Sequence, residues 1–401
     1  MTFSELKLPA NIEKALKELG YSNPTSIQQK TIPLLFQGKD VIGQSQTGSG
    51  KTAAFGLPIV SHMKPGQGIQ ALILTPTREL CVQVSEAIRG FAKYTSLKII
   101  PVFGGVGIGS QLHAIRTADV VVATPGRLLD IMQRGVRLST VKFLVLDEAD
   151  RMLDMGFIDD VERIIQSTPK QRQTILFSAT LSPKLRSIVN RHMKEPAVIQ
   201  TKTQVDTHLL TEKSFFVPSG DKVSLLVHCL KKETPGIAII FCGTRHGCDK
   251  IARRLRAEKI DATPIHGGLA QTKRMHVIEI LHKRGVGVLV ATDVASRGIH
   301  VSNVSHVYNY DLPQTHDDYI HRIGRTARAG ASGEAITFVS REEERDYKHM
   351  MRNLGRNITP TPLPAFEKIP MPQGGPGGPE NNRDFYRHKR HKRFSRQQGG
   401  R

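Results

Sequence analysis

The segment GQSQTGSGKT (residues 43–52) has the residue types of a loop that holds phosphate groups. Its glycines let backbone N–H groups turn inward, and a helix starting near Lys51 would add the positive end of its dipole. The Lys51 ammonium can reach phosphate oxygens, and the Thr52 hydroxyl can ligate Mg²⁺. Ser45 stands where the strict pattern has glycine, so a turn with a solvated lysine is the alternative interpretation.

An acidic motif later in the chain can complete this site. In FLVLDEAD, Asp147 and Glu148 follow a predicted apolar strand, at the edge where open α/β sheets bind ligands. Asp147 is suited to the coordination of a nucleotide-bound Mg²⁺, and Glu148 to orienting or deprotonating an attacking water. Acidic residues that only start a helix are the alternative. The phosphate-loop segment earlier in the chain favours the interpretation of Asp147 and Glu148 as part of a nucleotide site.

Short apolar segments alternate with helix-length segments, which predicts an α/β fold with largely parallel sheets. Most candidate strands are nearly continuous in Val, Ile and Leu, as expected for strands covered on both faces. The first series comprises Asp40–Gly43, Ala71–Thr75, Lys98–Phe103, Val120–Ala123, Phe143–Leu146 and Thr174–Phe177. The second comprises Ser214–Val217, Ile237–Phe241, Ala262–Ile265, Val286–Ala291, Val304–Tyr310 and Glu334–Val339.

A chain of 401 residues exceeds one ordinary core, so two α/β domains of similar size are expected. They are predicted at 1–200 and 212–358, joined by a polar linker at 201–211. The composition of residues 359–401 predicts an extended Pro/Gly-rich linker and a disordered tail. From Arg383 onward there are eight Lys or Arg and one acidic residue, which favours electrostatic affinity for nucleic acid.

The overall charge narrows the class of partner. The chain has 57 Lys and Arg against 36 Asp and Glu, and the net charge of +21 suits a polyanion. The four cysteines show no zinc or disulfide spacing, so reduced thiols in the cytoplasm are expected. The N-terminus lacks an apolar signal segment, and no apolar segment approaches the roughly 20 residues that span a bilayer. No membrane partner is predicted.

The motifs occur in the order found in DEAD-box ATP-dependent RNA helicases, which the chain resembles from about Phe3 to Val339. Residues 147–150 spell the name of that family. The resemblance implies two tandem RecA-like domains, ATP with Mg²⁺ in the cleft between them, and RNA as the polymer. The catalytic residues that it implies are Lys51, Asp147, Glu148, His321, Arg325 and Arg328, with Thr52 and Asp147 as Mg²⁺ ligands, partly through water.

The resemblance also implies a set of ATP contacts. The Gln28 amide can donate to N7 and accept from the N6 amino group of adenine, and Tyr21 can stack on the base. The phosphate loop contributes Ser45, Gln46, Thr47, Gly48, Ser49, Gly50, Lys51 and Thr52. Gly298 and His300 complete the set, although the family usually has Asp at the position of His300. We expect that imidazole to weaken ATP affinity or to make it pH-sensitive.

The implied RNA contacts use the RNA backbone and 2′-hydroxyl groups, which predicts little sequence preference. In the first domain they are Pro76, Thr77, Arg78, Gly105, Thr124, Pro125, Gly126 and Arg127. In the second domain they are Thr244, Gln271, Arg274 and Thr292. Ser178 and Thr180 are implied to couple the γ-phosphate site to RNA. Taken singly, each of these motifs also fits an ordinary turn or a helix cap.

The segment HRIGRTAR supplies the implied arginine fingers. On a helix, His321, Arg325 and Arg328 would fall at i, i+4 and i+7 on one face. From there, two arginines can meet a γ-phosphate held by the other domain. A solvated basic helix face is the alternative. The split of the motifs predicts that ATP and RNA close the cleft together and that hydrolysis reopens it.

The predicted function is an RNA-dependent ATPase that locally unwinds short RNA duplexes or remodels RNA–protein complexes. Two alternatives remain open at this point. One is an ATP-gated RNA clamp or scaffold with little turnover, and the other is a DNA-directed translocase. We expect a cytoplasmic monomer, for which ribosomal or RNA-degradation complexes are candidate partners.

Overall fold

A computed structural model describes most of the chain. The described residues are 2–44, 49–200, 209–269, 271–284, 287–293, 304–327, 331–356 and 358–370, without the side chains of Gln271, Thr272, Met275, Ile278, His282 and Arg284. The chain divides into two units, Met1–Pro364 and Ala365–Arg401. The first unit carries both of the sheets described below.

The first sheet consists of seven strands. They are β1 (Val41–Gln44), β2 (Ala71–Leu74), β3 (Ile99–Val102), β4 (Val120–Ala123), β5 (Phe143–Leu146), β6 (Gln173–Ser178) and β7 (Ala197–Gln200). Their order is β3-β4-β2-β5-β6-β1-β7, and each neighbouring pair is parallel. All carboxyl ends therefore lie at one edge, where the following loops can meet. We call this part of the chain domain 1.

Helices cover both faces of the first sheet. In the described part of domain 1 they are α1 (Ala10–Glu18), α2 (Ser26–Phe36), α3 (Lys51–His62), α4 (Arg78–Phe91), α5 (Ile108–Ile115), α6 (Pro125–Met132), α7 (Ala149–Asp154), α8 (Ile158–Gln166) and α9 (Pro183–His192). Alternate strand residues face opposite apolar layers: Ile73 packs with helices α1 to α4, and Leu72 with helices α5 to α9. Burial on both faces explains the continuous apolar strands.

The second sheet consists of six parallel strands and defines domain 2. The strands are β8 (Leu210–Phe216), β9 (Ile237–Phe241), β10 (Ala262–Ile265), β11 (Gly287–Ala291), β12 (Val304–Asn309) and β13 (Gly333–Val339). Their order is β10-β11-β9-β12-β13-β8. The helices described here are α10 (Lys222–Glu233), α11 (Arg245–Ala257), α12 (Gln271–Arg284), α13 (His316–Ile323) and α14 (Glu344–Asn353).

The predicted fold class of two parallel α/β sheets is confirmed. The predicted linker is too long at its end, because Leu210 and Thr211 pair with β13 as the start of β8. Residues 201–208 and the basic tail from residue 371 lie outside the described residues. Among the helices that are described, none has the length and apolar character needed to cross a membrane.

Candidate nucleotide and RNA site

The predicted phosphate loop joins β1 to α3. Helix α3 begins at Lys51, whose side chain is buried, and Gly50 precedes it with a φ of 89°. This left-handed conformation favours glycine, and a Cβ on Gly50 would also collide with the Gln28 amide nitrogen. Thr52 lies in the first turn of α3. Residues 45–48, which are also predicted ATP contacts, lie outside the described residues.

Gln28 connects the predicted adenine-binding segment to the phosphate loop. Its side chain is 1% exposed. Its Oε1 accepts a hydrogen bond from the Thr25 N–H at 2.8 Å, and its Nε2 donates to the Gly50 carbonyl at 3.0 Å. The Thr25 hydroxyl donates to the Ser49 carbonyl at 2.8 Å. Because an amide has two acceptor and two donor positions, Gln28 retains one of each for a base edge.

Tyr21 belongs to a small aromatic cluster beside this segment. Its ring centroid lies 6.1 Å from that of Phe3 and 5.8 Å from that of Phe91, both edge to face. Tyr21 is 36% exposed, whereas Phe3 is buried. The buried rings fix the orientation of Tyr21, and its exposed part is available for stacking on a planar base.

Asp147 and Glu148 directly follow β5, as predicted, and both are buried. The Asp147 Oδ1 has no hydrogen-bond partner among the described residues. Burial raises the pKa of Asp147 to about 6; the Lys51 ammonium opposes this rise and the Glu148 carboxylate adds to it. A buried carboxylate oxygen without a partner is a favourable ligand for a divalent cation. The residues at this edge therefore fit Mg²⁺.

We expect Asp147→Asn to stabilise the fold near pH 8. Because the pKa of the folded carboxyl is raised from 3.8 to about 6, the folded state binds more protons than the unfolded state between these values. Wild-type stability therefore falls as the pH rises through this window, by up to about 3 kcal/mol. Denaturant unfolding without nucleotide or Mg²⁺ should show the advantage of the variant near pH 8 and little advantage near pH 4. Equal advantages would contradict this account.

Asp150 ties the acidic motif to the predicted coupling residues. Its Oδ2 accepts hydrogen bonds from the N–H groups of Ala179 at 2.9 Å and Thr180 at 3.1 Å. The Ser178 Oγ accepts from the Asp150 N–H at 3.2 Å and donates to the Thr180 carbonyl at 2.6 Å. Sequence reasoning included Ser178 and Thr180 and missed Asp150. The sequence did offer a signal for Asp150: it is the fourth residue of the acidic motif 147–150, and it faces the end of the neighbouring strand β6.

The RNA contacts predicted in domain 1 follow three neighbouring strands. Pro76–Arg78 follows β2, Gly104–Gly105 follows β3, and Thr124–Arg127 follows β4, in the sheet order β3-β4-β2. The Arg78 guanidinium lies against both glycines. The arginine that ends the third segment donates from Nη1 to the Val106 carbonyl at 3.1 Å. The three segments thus lie next to one another at the carboxyl edge of the first sheet, and we call them together the domain 1 RNA surface.

Two threonines predicted to contact RNA also cap helices. The Thr77 Oγ1 accepts from the Leu80 N–H at 3.3 Å, and the Thr244 Oγ1 accepts from the Gly247 N–H at 3.0 Å. Thr124 precedes α6, whose first residue is Pro125, and makes no side-chain cap. The alternative interpretation as helix caps therefore applies to Thr77 and Thr244, whose hydroxyls stabilise the conformation of the loops before α4 and α11.

We expect Gly105→Ala to raise the RNA concentration for half-maximal ATPase about tenfold. Gly105 has a φ of 84°, which disfavours a side chain by about 1–2 kcal/mol, and its new Cβ would displace the Arg78 guanidinium. Gly107→Ala is the matched control, since its φ is −56° and its Cβ would meet no atom within 4 Å. Equal effects in RNA titrations of the two variants would contradict the proposed role of Arg78.

Among the described residues of the segment HRIGRTAR, only His321 to Ile323 are helical. Helix α13 ends at Ile323, and Arg325 lies in the turn beyond it. The Thr326 hydroxyl donates to the Val304 carbonyl at 2.6 Å, which holds this turn against β12. The helical conformation on which the common face of His321 and Arg325 depends therefore ends before Arg325, and Arg328 lies outside the described residues. Helical periodicity in the sequence gives no indication of this hydrogen bond, because it joins residues that are distant in sequence.

Arg322 is a buried arginine of the same segment that the sequence reasoning missed. Its Nε and Nη2 donate to the two carboxylate oxygens of Asp293, each at 2.7 Å. Its Nη1 donates to the Asp311 carbonyl at 2.6 Å, and its guanidinium carbon lies 5.0 Å from the Phe241 ring centroid. This bidentate pair holds Asp293, two residues after the end of β11, against α13. The signal available in the sequence was that the motif with Asp293 carries an acidic residue and the next motif, with Arg322, carries a basic one.

Residues of both domains line one small cavity. Domain 1 contributes Arg151 of helix α7, which follows the acidic motif, and domain 2 contributes His321 and Arg325 among others. Arg325 is buried. The cavity thus brings the predicted finger residue to the helix that starts after Glu148.

The remaining predicted contacts of domain 2 are only partly described. Thr292 follows β11, and Arg274 lies in the first turn of α12. The Arg274 Nη2 lies 2.9 Å from the Glu79 Oε1 of helix α4. Gly298, His300, Arg328 and the side chain of Gln271 lie outside the described residues.

Two RecA-like sheets that bring a phosphate loop, an acid pair and a buried arginine together define a helicase-type nucleotide hydrolase. The chain matches the family models "DEAD/DEAH box helicase" at residues 25–188 and "helicase conserved C-terminal domain" at residues 221–330. The "ATP-dependent RNA helicase CshA" of Listeria monocytogenes is 44% identical over 91% of this chain and 71% of its own length. That of Geobacillus kaustophilus is 42% identical over 92% and 79%. This chain belongs to the DEAD-box ATP-dependent RNA helicases.

Solved structures support the same assignment. S. cerevisiae Dbp5 bound to RNA and ADP BeF3 is 31% identical, with a TM-score of 0.81 over 90% of this chain and 96% of that one. Mss116p bound to ssRNA and AMP-PNP is 28% identical, with a TM-score of 0.80 over 89% and 77%. A DEAD box protein from Methanococcus jannaschii is 38% identical over 90% and 99%, with a TM-score of 0.56. The RNA-bound relatives are thus more similar in structure although less identical in sequence.

Proposed function

We propose that the chain is an RNA-dependent ATPase that locally unwinds short RNA duplexes or remodels RNA–protein complexes. The observation that carries the proposal is the buried Asp147 carboxylate, which lies beside the Lys51 ammonium at the end of β5. This edge connects through Asp150 to Ser178 and Thr180. The acidic motif after β5 is therefore hydrogen-bonded to the loop after β6 on one side, and β2 on its other side leads into the domain 1 RNA surface.

The residues of domain 1 have distinct proposed roles toward ATP. Gln28 and Tyr21 recognise and stack on adenine, and Lys51 binds the β- and γ-phosphates. Asp147 and Thr52 would hold Mg²⁺, which supplies neutralisation of the phosphate charge when it is bound. Glu148 orients or deprotonates the attacking water.

Domain 2 completes the proposed site across the cleft. Arg325 stabilises the charge that develops on the transferred phosphoryl group, together with Arg328, and His321 supports this arrangement. The cavity shared by Arg151 and Arg325 supports the approach of these parts. Hydrolysis then depends on closure of the two domains, which the similarity to relatives bound to RNA and nucleotide analogues also supports.

RNA is the proposed polymer. The domain 1 RNA surface offers arginines, hydroxyls and N–H groups that suit phosphates and 2′-hydroxyls rather than base edges. Thr244, Gln271, Arg274 and Thr292 are the proposed contacts of domain 2. We further propose a cytoplasmic monomer that takes its RNA targets from its basic tail or from ribosomal or degradation complexes. The presence of Lys51, Glu148 and Arg325 together argues against a clamp with little turnover.

The ATPase rate measured without polymer, with RNA and with DNA tests this proposal. RNA should stimulate the rate strongly and DNA weakly, because DNA lacks the 2′-hydroxyl. Lys51→Ala should abolish the stimulated rate and shows that the activity belongs to this site. Equal stimulation by DNA would exclude the RNA assignment, and the absence of any stimulation would favour the clamp.

A further inference from the structure

Three side chains able to bind a metal lie together in domain 2, towards the amino ends of its strands. His306 of β12 and Glu334 of β13 occupy paired positions of neighbouring parallel strands, and the Glu334 Oε2 lies 3.3 Å from the His306 Nε2. Glu233 is the last residue of α10, and its Oε2 lies 3.7 Å from the same nitrogen. The proposed ATP and RNA contacts of domain 2 follow the carboxyl ends of the strands, so this cluster is separate from them.

The spacing of these atoms fits a tetrahedral metal ion. One ligand atom from each of the three residues lies within 4.8 Å of those of the other two. Two ligand atoms of a tetrahedral Zn²⁺, each bonded at about 2.0–2.1 Å, are about 3.3 Å apart. The separations of 3.3 and 3.7 Å from the His306 Nε2 are close to this value. Mg²⁺ prefers oxygen ligands, so the imidazole favours a cation of the Zn²⁺ class.

Neighbouring side chains orient the three ligands. The His306 Nδ1 lies 2.9 Å from the Ser305 Oγ, and a proton on Nδ1 that is donated to this oxygen leaves Nε2 with the free lone pair that a metal needs. The Tyr308 hydroxyl donates to the Glu233 Oε2 at 2.7 Å, and the Tyr308 ring stacks on that of His306 with the centroids 6.1 Å apart. Supporting hydrogen bonds of this kind are a regular feature of metal sites.

Lys213 of β8 binds the other oxygens of the two carboxylates. Its ammonium contacts the Glu334 Oε1 and lies 3.8 Å from the Glu233 Oε1, whereas the Oε2 atoms face His306. Two carboxylates and one ammonium leave one net negative charge beside the imidazole. The side chains of the three ligands are 16% to 21% exposed. Partial burial of an excess negative charge favours a divalent cation that solvent can still deliver.

We propose that Glu233, His306 and Glu334 form a binding site for a divalent transition-metal cation of the Zn²⁺ class. The bound cation joins the end of α10 to β12 and β13, so its binding free energy adds to the stability of domain 2. The inference does not depend on the proposed function, because none of the three residues is a proposed contact of ATP or RNA.

Titration of the full chain with Zn²⁺ tests this inference, in competition with a fluorescent chelator and with excess Mg²⁺ present. The wild-type chain should bind one more equivalent of Zn²⁺ than either His306→Ala or Glu334→Gln. Tyr308→Phe should keep the equivalent and weaken its affinity about 10-fold, as the loss of a supporting hydrogen bond does. Co²⁺ in the same site should show the strong visible absorption of tetrahedral coordination, which both ligand variants should lack.

His349 of α14 supplies a matched control, because its imidazole is exposed and belongs to a different helix. His349→Ala should bind as many equivalents as the wild type. Equal binding by wild type, His306→Ala and Glu334→Gln would indicate an adventitious ion only and would overturn the inference.

Thermal unfolding of the wild-type chain gives a result that requires no variant. Zn²⁺ should raise the unfolding temperature, because it binds the folded site, and the chelator should reverse the rise. No rise in the wild type, or an equal rise in folded Glu334→Gln, would overturn the inference.

Discussion

Glu148→Gln is expected to lower RNA-stimulated ATP hydrolysis on the order of 10²–10⁴-fold, the usual contribution of a positioned general base. Glutamine keeps the size of the side chain but cannot accept a proton from the attacking water. Glu148 has a φ of 52°, a strained conformation that occurs at functional sites. ATP affinity should stay near that of wild type, because the proposed ATP contacts are unchanged. Single-turnover hydrolysis and nucleotide binding measure the two effects separately.

Glu195→Gln provides a matched control for this variant. Glu195 also has a positive φ, of 41°, but its side chain is exposed and distant in sequence from the proposed site. It should hydrolyse ATP at the wild-type rate. A similar loss in both variants, or full activity in Glu148→Gln, would contradict the assignment of Glu148 to the attacking water.

Arg325→Ala is expected to lower the stimulated rate on the order of 10³-fold or more, as the loss of an arginine finger does. Arg325 is buried at the cavity that Arg151 shares with domain 2, so its charge can act on the nucleotide only from across the cleft. Arg325→Lys should recover little, because an ammonium does not reproduce the planar guanidinium. The rate at saturating ATP and RNA measures both variants.

Two other arginines separate this role from a structural one. Arg253 is an exposed residue of α11, and Arg253→Ala should retain full activity. Arg322→Ala should instead destabilise the protein, since it leaves the Asp293 carboxylate without its bidentate partner. A stability loss in Arg325→Ala as large as that in Arg322→Ala would contradict a direct role of Arg325 in hydrolysis.

The strand ends that carry the site could be predicted because the strands are short, apolar and buried on both faces. The predicted bounds of β4, β5, β9 and β10 agree with the structure. Strand β7 was missed, because it lies at the sheet edge and alternates between half-buried and exposed residues. The positions of motifs that directly follow the central strands could thus be predicted, because the carboxyl ends of parallel strands lie at one edge of the sheet.

Contacts that depend on tertiary structure could not be predicted in this way. The end of α13 at Ile323 depends on the hydrogen bond from Thr326 to β12, which helical periodicity does not contain. The hydrogen bonds of Asp150 to the loop after β6 depend on two strands that are neighbours in space. The pair of Glu79 with Arg274 joins residues that lie in different domains.

Strand release from a short RNA duplex with a single-stranded extension tests the central claim most directly. With ATP, the wild-type protein should release the labelled strand, and a much longer duplex should remain paired because unwinding is local. Glu148→Gln should release far less in multiple turnovers. Equal release of a matched DNA duplex, or no ATP-dependent release of the RNA strand, would contradict the proposal of an RNA-dependent ATPase that unwinds RNA.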